Sequence, residues 1–564
     1  MRHTIISDGF FVKSGILASI ALIPFQQLLP DTKPNIIFIL TDDHRFDLLG
    51  INGHQVLNTP NVDQLARDGM QFSRAYVTSA ISTPSRASIF TGQYERKHGI
   101  NFNSGTSMSE NAWNSTYPML LRKNGYYTGY IGKNHVPVGS KGYKSGIIEQ
   151  SFDYWFGGHG HLSFYPKKVH SIFKGARNDT QVEVLGEGVD DFLNNQHCLE
   201  GAVRFINQRP ADKPFCLTIS FNLPHGAGTS TMKQLPSDPE IYKSLYRDKK
   251  IDMPVNYVAK ADIKSSRIPV NILHASDRQD EYNYVDEPAA LQERIIRQMQ
   301  SVTGIDNLIG NLREQLDQLG ISKNTIIIFT SDHGIMLGEY GLGGKALCYE
   351  PCTHVPFIIY DPGMPVSSHG AVVDELVQII DIAPTILTYA GVAIPEKMQG
   401  KQLNSILKGE MKSVRSYIFT ENLWSTCFGN PRCEAVQDKE WKYIRYYNND
   451  NVSSRKLMEM AKEMGLNQQV LLYGNNDYQI ARYQHFLDSP LKGEPAVYEE
   501  LFHLKDDPKE VINLARDKKH INQLQKMRKV WAEEIKKARG EGKPDVVRWT
   551  IESQKHMQES FEAK

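Results

Sequence analysis

The stretch Asn35-Ile-Ile-Phe-Ile-Leu-Thr-Asp-Asp43 decides how this chain is read. Its apolar run is continuous rather than alternating, so a strand made from it is covered on both faces, as in a parallel sheet. The pattern returns much later, at Asn324-Thr-Ile-Ile-Ile-Phe-Thr-Ser-Asp-His333. Phe215-Cys-Leu-Thr-Ile-Ser-Phe221 and Val355-Pro-Phe-Ile-Ile-Tyr360 are further candidate strands. Helical patterns lie between them, over 61–69, 119–124 and a long 289–319 segment. The apolar face of that long segment carries Leu291, Ile295, Met299, Val302, Ile305, Ile309, Leu312 and Leu316. This alternation predicts an α/β fold: a large doubly wound, mixed or parallel sheet sandwiched by helices, spanning 34–410. Past Ser413 the segments shorten and alternate, as in Trp441-Lys-Tyr-Ile-Arg-Tyr446, and a charged helix follows over 518–539. A smaller C-terminal α+β domain with a short antiparallel sheet is expected over 411–545, then a tail over 546–564. Residues 226–287, rich in Pro, Asp and Lys, read as a long excursion near the mouth of a site.

Lys plus Arg and Asp plus Glu both total 64 in 564 residues, so the formal net charge is zero. No global field recruits nucleic acid or an acidic membrane, and any anion selectivity is local. At the N-terminus, Arg2 and Lys13 precede an apolar run over 15–24 that is too short to span a bilayer. Residues 1–30 therefore read as an export signal, with no stable membrane insertion of the mature chain, although Asp8 and the absence of a clean small-x-small site depart from the usual pattern. The six cysteines, Cys198, Cys216, Cys348, Cys352, Cys427 and Cys433, form neither a zinc pattern nor a disulfide framework. Cys348 with Cys352, or Cys427 with Cys433, are the pairings their spacing allows; isolated buried thiols are the expectation.

Both long strands end in acids, at Asp42-Asp43 and Asp332-His333. Ligands of open α/β sheets gather at the carboxyl ends of strands, so the two ends are expected to face one crevice. Three carboxylates there repel one another unless a cation sits between them. Oxygen donors favour Ca²⁺ or Mg²⁺, while His333 leaves room for Mn²⁺ or Zn²⁺. The segment Ser82-Thr-Pro-Ser-Arg-Ala-Ser-Ile-Phe-Thr-Gly92 reads as a helix start, with Ser82 just outside and Pro84 in the first turn. Taken alone, Ser82 is an ordinary cap; with an anion-binding helix N-terminus, it is a candidate for chemistry.

The combination resembles the type I, formylglycine-dependent sulfatases of the alkaline phosphatase superfamily, whose signature Cys/Ser-x-Pro-Ser-Arg matches Ser82-Thr-Pro-Ser-Arg86. The opening strand through Asp43, Thr59-Pro-Asn-Val-Asp-Gln-Leu-Ala66, Gly132-Lys-Asn-His135, Asn222-Leu-Pro-His225, Ser331-Asp-His-Gly334 and Gly344-Lys345 follow in family order. Glu500-Leu-Phe-His-Leu-Lys-Asp-Asp-Pro508 with Asn513-Leu-Ala515 resembles the closing element. Six motifs in register are specific where one is weak.

The resemblance implies that Ser82 is oxidised to formylglycine (3-oxoalanine) by a serine-type maturation enzyme. Ser82, Asp42, Asp43, Asp332 and His333 would hold calcium, with Mg²⁺ or Mn²⁺ as alternatives; His333 stands where the family often has Asn. Arg86 would orient the nucleophile, and Lys133 and Lys345 would bind sulfate. His225 or Lys345 would protonate the leaving alcohol, and His135 would take a proton when the aldehyde reforms. His44, Arg45, His159, His161 and Arg432 are candidate substrate contacts, since they flank matched motifs or lie in loops. The implied activity is release of sulfate from a sulfated saccharide in the bacterial periplasm. A formylglycine-type phosphodiesterase or phosphonate monoester hydrolase, and a non-catalytic glycan-binding relative, are the alternatives.

Overall fold

The computed structural model describes residues 33–101, 106–159, 200–225, 240–265, 267–269, 280–423, 431–448 and 479–548. Residues 1–30, the tail beyond 548, His161, Cys198, Cys427 and most of the early excursion lie outside them. A mixed eight-stranded sheet forms the centre: β1 Asn35–Asp42, β2 Met70–Tyr76, β3 Tyr127–Asn134, β4 Tyr154–His159, β5 Phe215–Pro224, β6 Thr325–Ser331, β7 Phe357–Tyr360 and β8 Ala371–Gln378, in spatial order β8-β2-β7-β6-β1-β5-β3-β4. Only β7 runs antiparallel to its neighbours. The continuous apolar runs of β1, β5 and β6 are buried throughout, as their composition requires.

β1 lies between β5 and β6, parallel to both. Its register with β6 pairs Leu40 with Thr330 and Thr41 with Ser331, so the acids that follow each strand arrive side by side. The Asp332 N–H then donates to the Thr41 carbonyl at 3.0 Å, which ties the two strand ends together.

Helices cover both faces. The helix α1, Pro60–Asp68, starts with Pro at its first position. The helix α2, Ser82–Thr91, leaves the extended residue Ile81 and ends at Gly92, whose φ of 63° is the left-handed stop that glycine accepts most readily. Ser82 is thus the first helical residue rather than the residue before the helix, and all ten residues are buried. The helix α3, Pro288–Gln318, presents the expected apolar stripe, every member of it buried. Each such side chain contributes about 1.5–3 kcal/mol relative to exposure. That surplus lets α3 also bury Arg294, Arg297, Gln298, Gln300 and Asp306, which the apolar periodicity did not reveal.

Beyond β8 and the short helix α4, Ile382–Tyr389, the strands β9 Ile418–Asn422, β10 Arg432–Gln437, β11 Trp441–Tyr447 and β12 Tyr498–His503 make an antiparallel sheet in that order. The helix α5, Ile521–Arg539, closes it through Leu524, Met527, Val530, Trp531 and Ile535.

A polar network joins this sheet to the turn before α2. Arg96, fully buried, donates from Nε to Glu421 at 2.6 Å and also pairs with Glu434. Glu421 N–H donates in turn to the Thr78 carbonyl. Next to it, the Glu95 carboxyl is met by Ser79 Oγ, Asn101 Nδ2 and Tyr483 OH, and no ion pair to it is found among the described residues. Burial, reinforced by Glu421, pushes Glu95 up to about 8.

Cys216, Cys348, Cys352 and Cys433 are buried free thiols. Cys348 and Cys352 do not pair, and the pairing of Cys427 with Cys433 lies outside the described residues. Instead Cys348 Sγ lies 3.5 Å from Cys433 Sγ, because β10 runs past the 345–349 segment.

Candidate active site

The ends of β1, β5 and β6, the start of α2 and the end of β3 converge on one buried centre. Asp43 sits at φ 60°, a left-handed backbone uncommon outside glycine and of the kind found at functional sites. This twist turns Asp42 and Asp43 to one cluster instead of opposite faces.

Ser82 is 2% exposed. Its Oγ lies 3.5 Å from Asp42 Oδ1, 3.1 Å from His333 Nε2 and 3.5 Å from Lys133 Nζ. Ser85 N–H makes the first intrahelical bond, back to Ile81, so the amide groups of the first turn lie beside Ser82. Arg86, one turn on, reaches the same point from inside the helix. Its Nε donates to Asp332 Oδ2 and its Nη2 to Asp42 Oδ2, each at 2.8 Å, while Nη1 caps the Lys133 carbonyl at 3.2 Å. One guanidinium therefore braces both strand ends, a geometry that Lys cannot copy.

Lys133 pairs with Asp42. Burial pulls its ammonium down to about 8, with Asp42 opposing. Lys345 donates to Asp43 Oδ1 at 3.0 Å and, despite burial, is raised above the usual lysine range by Asp43. Although burial favours the neutral acid, Lys133, Arg86 and Lys345 hold Asp42 well below the usual carboxylate range. His135 is lowered well below the ordinary imidazole value by burial and by Lys133 and Arg86; His225 is lowered likewise by burial and by Lys345 and Lys133. Both are neutral bases in this setting. His225 Nε2 lies 3.9 Å from Asp43 Oδ2, and His333 Nδ1 lies 3.2 Å from Asp43 Oδ1.

The donor set suits a divalent cation. Asp42, Asp332 and His333 each offer an atom within 4.8 Å of the others, as do Asp42, Asp43 and His225. Asp43 Oδ2 and Asp332 Oδ1 are buried without a hydrogen-bond partner. Buried carboxylate oxygens rarely stay unsatisfied, and a hard ion between them supplies the missing contact.

The candidate substrate contacts fare less well. His44 is fully buried, its Nε2 on the Leu48 carbonyl and its ring edge against Phe329; it packs rather than rims a pocket. Arg45 is spent on Asp47 and Glu339. It lines a cavity of about 770 Å³ with Phe46, His54, Glu339 and His354, to which none of the centre's residues contributes. His159 ends β4 and bonds Asn134 and Glu149. Arg432 is buried on β10 against Glu494 and the Phe486 ring, holding the smaller sheet, so it is corrected from a substrate contact to a packing residue. His161 lies outside the described residues.

Arg294 was missed. It stands on α3, 3% exposed, with Nη2 3.9 Å from Asp43 Oδ2 and its guanidinium 5.2 Å from the Tyr284 ring centre. Apolar periodicity gave no signal for it, since α3 buries polar side chains beside its apolar stripe.

A family model described as Sulfatase matches residues 34–392, and a second, N-sulphoglucosamine sulphohydrolase C-terminal, matches 338–489. The chain is 28% identical to an arylsulfatase of Clostridium perfringens, covering 91% of this chain and 96% of that one. It is 27% identical to an N-acetylglucosamine-6-O-sulfatase of Bacteroides thetaiotaomicron over 74% of this chain and 79% of that protein. Among solved structures, a protein in complex with its substrate D-glucosamine-2-N,6-O-disulfate superposes with a TM-score of 0.64 at 22% identity, covering 91% of this chain and 99% of that one. A phosphonate monoester hydrolase of Silicibacter pomeroyi does so at 0.65 and 21% identity, covering 89% and 95%. At these identities the two superpositions speak for a shared fold alone.

Proposed function

This chain belongs to the sulfatase family and is a sulfuric ester hydrolase, and from that premise we propose that it releases sulfate from a sulfated saccharide with Ser82, converted to formylglycine, as its reacting residue. The observation that carries the reading is Ser82 Oγ, at the first turn of a fully buried helix, within 3.5 Å of Asp42, His333 and Lys133. The saccharide is supported by the relatives, one of which is an N-acetylglucosamine-6-O-sulfatase.

A serine hydroxyl is a weak nucleophile near neutral pH, whereas a hydrated aldehyde at position 82 supplies two geminal oxygens, one for attack and one for expelling sulfate. Asp42, Asp43, Asp332 and His333 would hold a divalent ion, calcium by resemblance, which supplies charge stabilisation at a sulfate oxygen.

The chain's own groups do the rest. Arg86 fixes Asp42 and Asp332 and so the place where position 82 meets them. Lys133 and Lys345 point ammonium groups into the same centre, where charge on the transferring sulfate moves toward its oxygens. Neutral His135 accepts a proton when the aldehyde reforms; the leaving oxygen takes its proton either from protonated Lys345 or from His225, which must first take one up from solvent beside the anionic sulfate. Lys345, held protonated by Asp43, contributes charge. Export to a bacterial periplasm rests on the basic and apolar N-terminus; among the described residues, no helix is long and apolar enough to cross a membrane.

The test is coexpression with a serine-type maturation enzyme, followed by measurement of free sulfate from a panel of sulfated mono- and oligosaccharides, with Ser82→Ala alongside. Release from one saccharide class, lost in the variant, is expected. Faster turnover of matched phosphate or phosphonate esters moves the chain to the phosphonate hydrolase reading. No turnover despite a peptide mass showing oxidised Ser82 removes the saccharide reading.

A further inference from the structure

The helix α2 opens on Ser82 and ends at Thr91, and a second cavity, to which none of the reactive residues contributes, lies at that far end. Ten residues put the two ends of the helix about 15 Å apart. Three lysines from distant parts of the chain, Lys97, Lys397 and Lys543, line the cavity together with Gln93, His98 and Asp545. In a chain whose formal net charge is zero, three ammonium groups against one carboxylate are a local excess. That carboxylate is already engaged, since Asn111 Nδ2 donates to Asp545 Oδ2 at 2.8 Å. Lys397 and Lys543 make no ion pair among the described residues, and Lys97 donates to a backbone carbonyl, that of Glu541. Burial, with Arg539 and Lys397 nearby, pushes the Lys97 ammonium below the usual lysine value against the opposing pull of Glu541.

The walls are fixed. The strand Val546–Arg548 pairs antiparallel with Thr106–Met108, and Ser109 N–H donates to the Asp545 carbonyl at 3.1 Å, which anchors the segment carrying Lys543. Gln399 N–H donates to the Gly92 carbonyl at 2.8 Å, which sets the turn carrying Lys397. Gln93 is 7% exposed, and its side-chain amide has no hydrogen bond among the described residues. Its NH₂ group is therefore a nearly buried donor without an acceptor, a cost that a bound anion offsets. The carbonyl end of α2 carries about half a negative charge, which three ammonium groups outweigh. The volume, about 150 Å³, is well under the ~300 Å³ at which sites for whole small molecules begin. It suits one tetrahedral anion with its first waters rather than a sugar ring. For a sulfuric ester hydrolase, sulfate is the tetrahedral anion at hand.

We propose that the cavity at the far end of α2 binds one sulfate group, either borne on a saccharide away from the ester being cleaved or released as inorganic sulfate. This goes beyond the catalytic reading and does not depend on it.

Lysine footprinting of the folded, unconverted chain tests the site without turnover. Lysines are acetylated with N-hydroxysuccinimidyl acetate and read by peptide mass in sodium sulfate, in sodium chloride of equal ionic strength, and with a sulfated tetrasaccharide or its desulfated form. Bound sulfate is expected to slow Lys97, Lys397 and Lys543 by about threefold or more and to leave exposed Lys408 and Lys412 unchanged. Gln93→Leu, which alters no charge, should raise the sulfate concentration for half protection about threefold to tenfold with Tm unchanged. In Lys397→Gln with Lys543→Gln, both exposed positions, Lys97 should lose its protection. Protection by the tetrasaccharide alone assigns the site to a saccharide sulfate, by free sulfate alone to the released ion, and by both to either source. Equal protection by chloride or by the desulfated saccharide overturns the proposal. So does protection that spreads to Lys408 and Lys412, or a Gln93→Leu midpoint equal to that of the wild type, since each leaves only a diffuse field. Sulfate release by the matured chain is scored separately, so its failure strikes the saccharide sulfatase reading and not the footprint.

Discussion

Replacing Glu95 by Gln changes one proton and little else, and its effect on stability can be worked from the structure. The carboxyl is fully buried behind the turn that delivers Ser82, and it is held by Ser79, Asn101 and Tyr483 while Arg96 is taken by Glu421 and Glu434. Burial and the Glu421 charge raise it from 4.5 to about 8. Below about pH 4.5 the group is protonated in both folded and unfolded chains, and its contribution is fully present. Between that value and about 8 the unfolded chain releases a proton that the folded chain keeps, so stability falls as pH rises. Each unit is about 1.36 kcal/mol, giving a loss on the order of 3–5 kcal/mol across the window. The amide in Glu95→Gln does not titrate, so the variant escapes that loss. Urea midpoints of both chains at intervals from pH 5 to 8.5 isolate the effect, since all other groups titrate in both. The expected result is near-equal stability at pH 5 and a widening advantage for the variant toward pH 8. A constant difference across the range would refute the reasoning, for it would mean that Glu95 is already ionised in the fold.

Two further outcomes follow from the centre. Adding calcium to chelator-treated protein should raise Tm in thermal melts, by a stabilisation of about 2.7 kcal/mol at a hundred times Kd; equal melts with and without calcium, magnesium and manganese would remove the divalent site. In Gly334→Ala the new Cβ would stand 2.1 Å from the Pro351 carbonyl oxygen, a backbone atom that cannot swing aside. The variant should lose about 1–3 kcal/mol and, because His333 is its neighbour, at least tenfold in sulfate release; wild-type values for both would show that the backbone there gives way freely.

Much of this centre was legible because its carriers are strand ends. A continuous apolar run followed by acids states both the strand and the place where its side chains surface, and the parallel register of β1 with β6 does the rest. The motif at Ser82 was legible for a different reason, since Pro84 and Gly92 mark the helix it opens. Arg294 was not, because periodicity reports only the apolar face of a helix, and α3 buries polar side chains as well. His44 and Arg432 were misjudged as rim residues for a related cause: sequence neighbours of a motif can point into the core, and only the fold tells which do. The cysteines were read correctly as buried free thiols, although their spacing gave no sign that Cys433 would come to lie beside Cys348.

The concealment of Ser82 sets an order of events. Its helix is buried along its whole length and its hydroxyl is walled by Asp42, Lys133 and His333. If Ser82 is converted as proposed, an enzyme acting on it, itself a folded macromolecule, could not reach a hydroxyl so enclosed and would need the segment open. On the proposed chemistry, conversion therefore belongs to the interval between synthesis and closure of the central sheet, and a molecule that folds with its serine intact has missed it. Adding the maturation enzyme to finished protein should then do nothing, while the same enzyme present during synthesis, or during refolding from denaturant, should leave its mark.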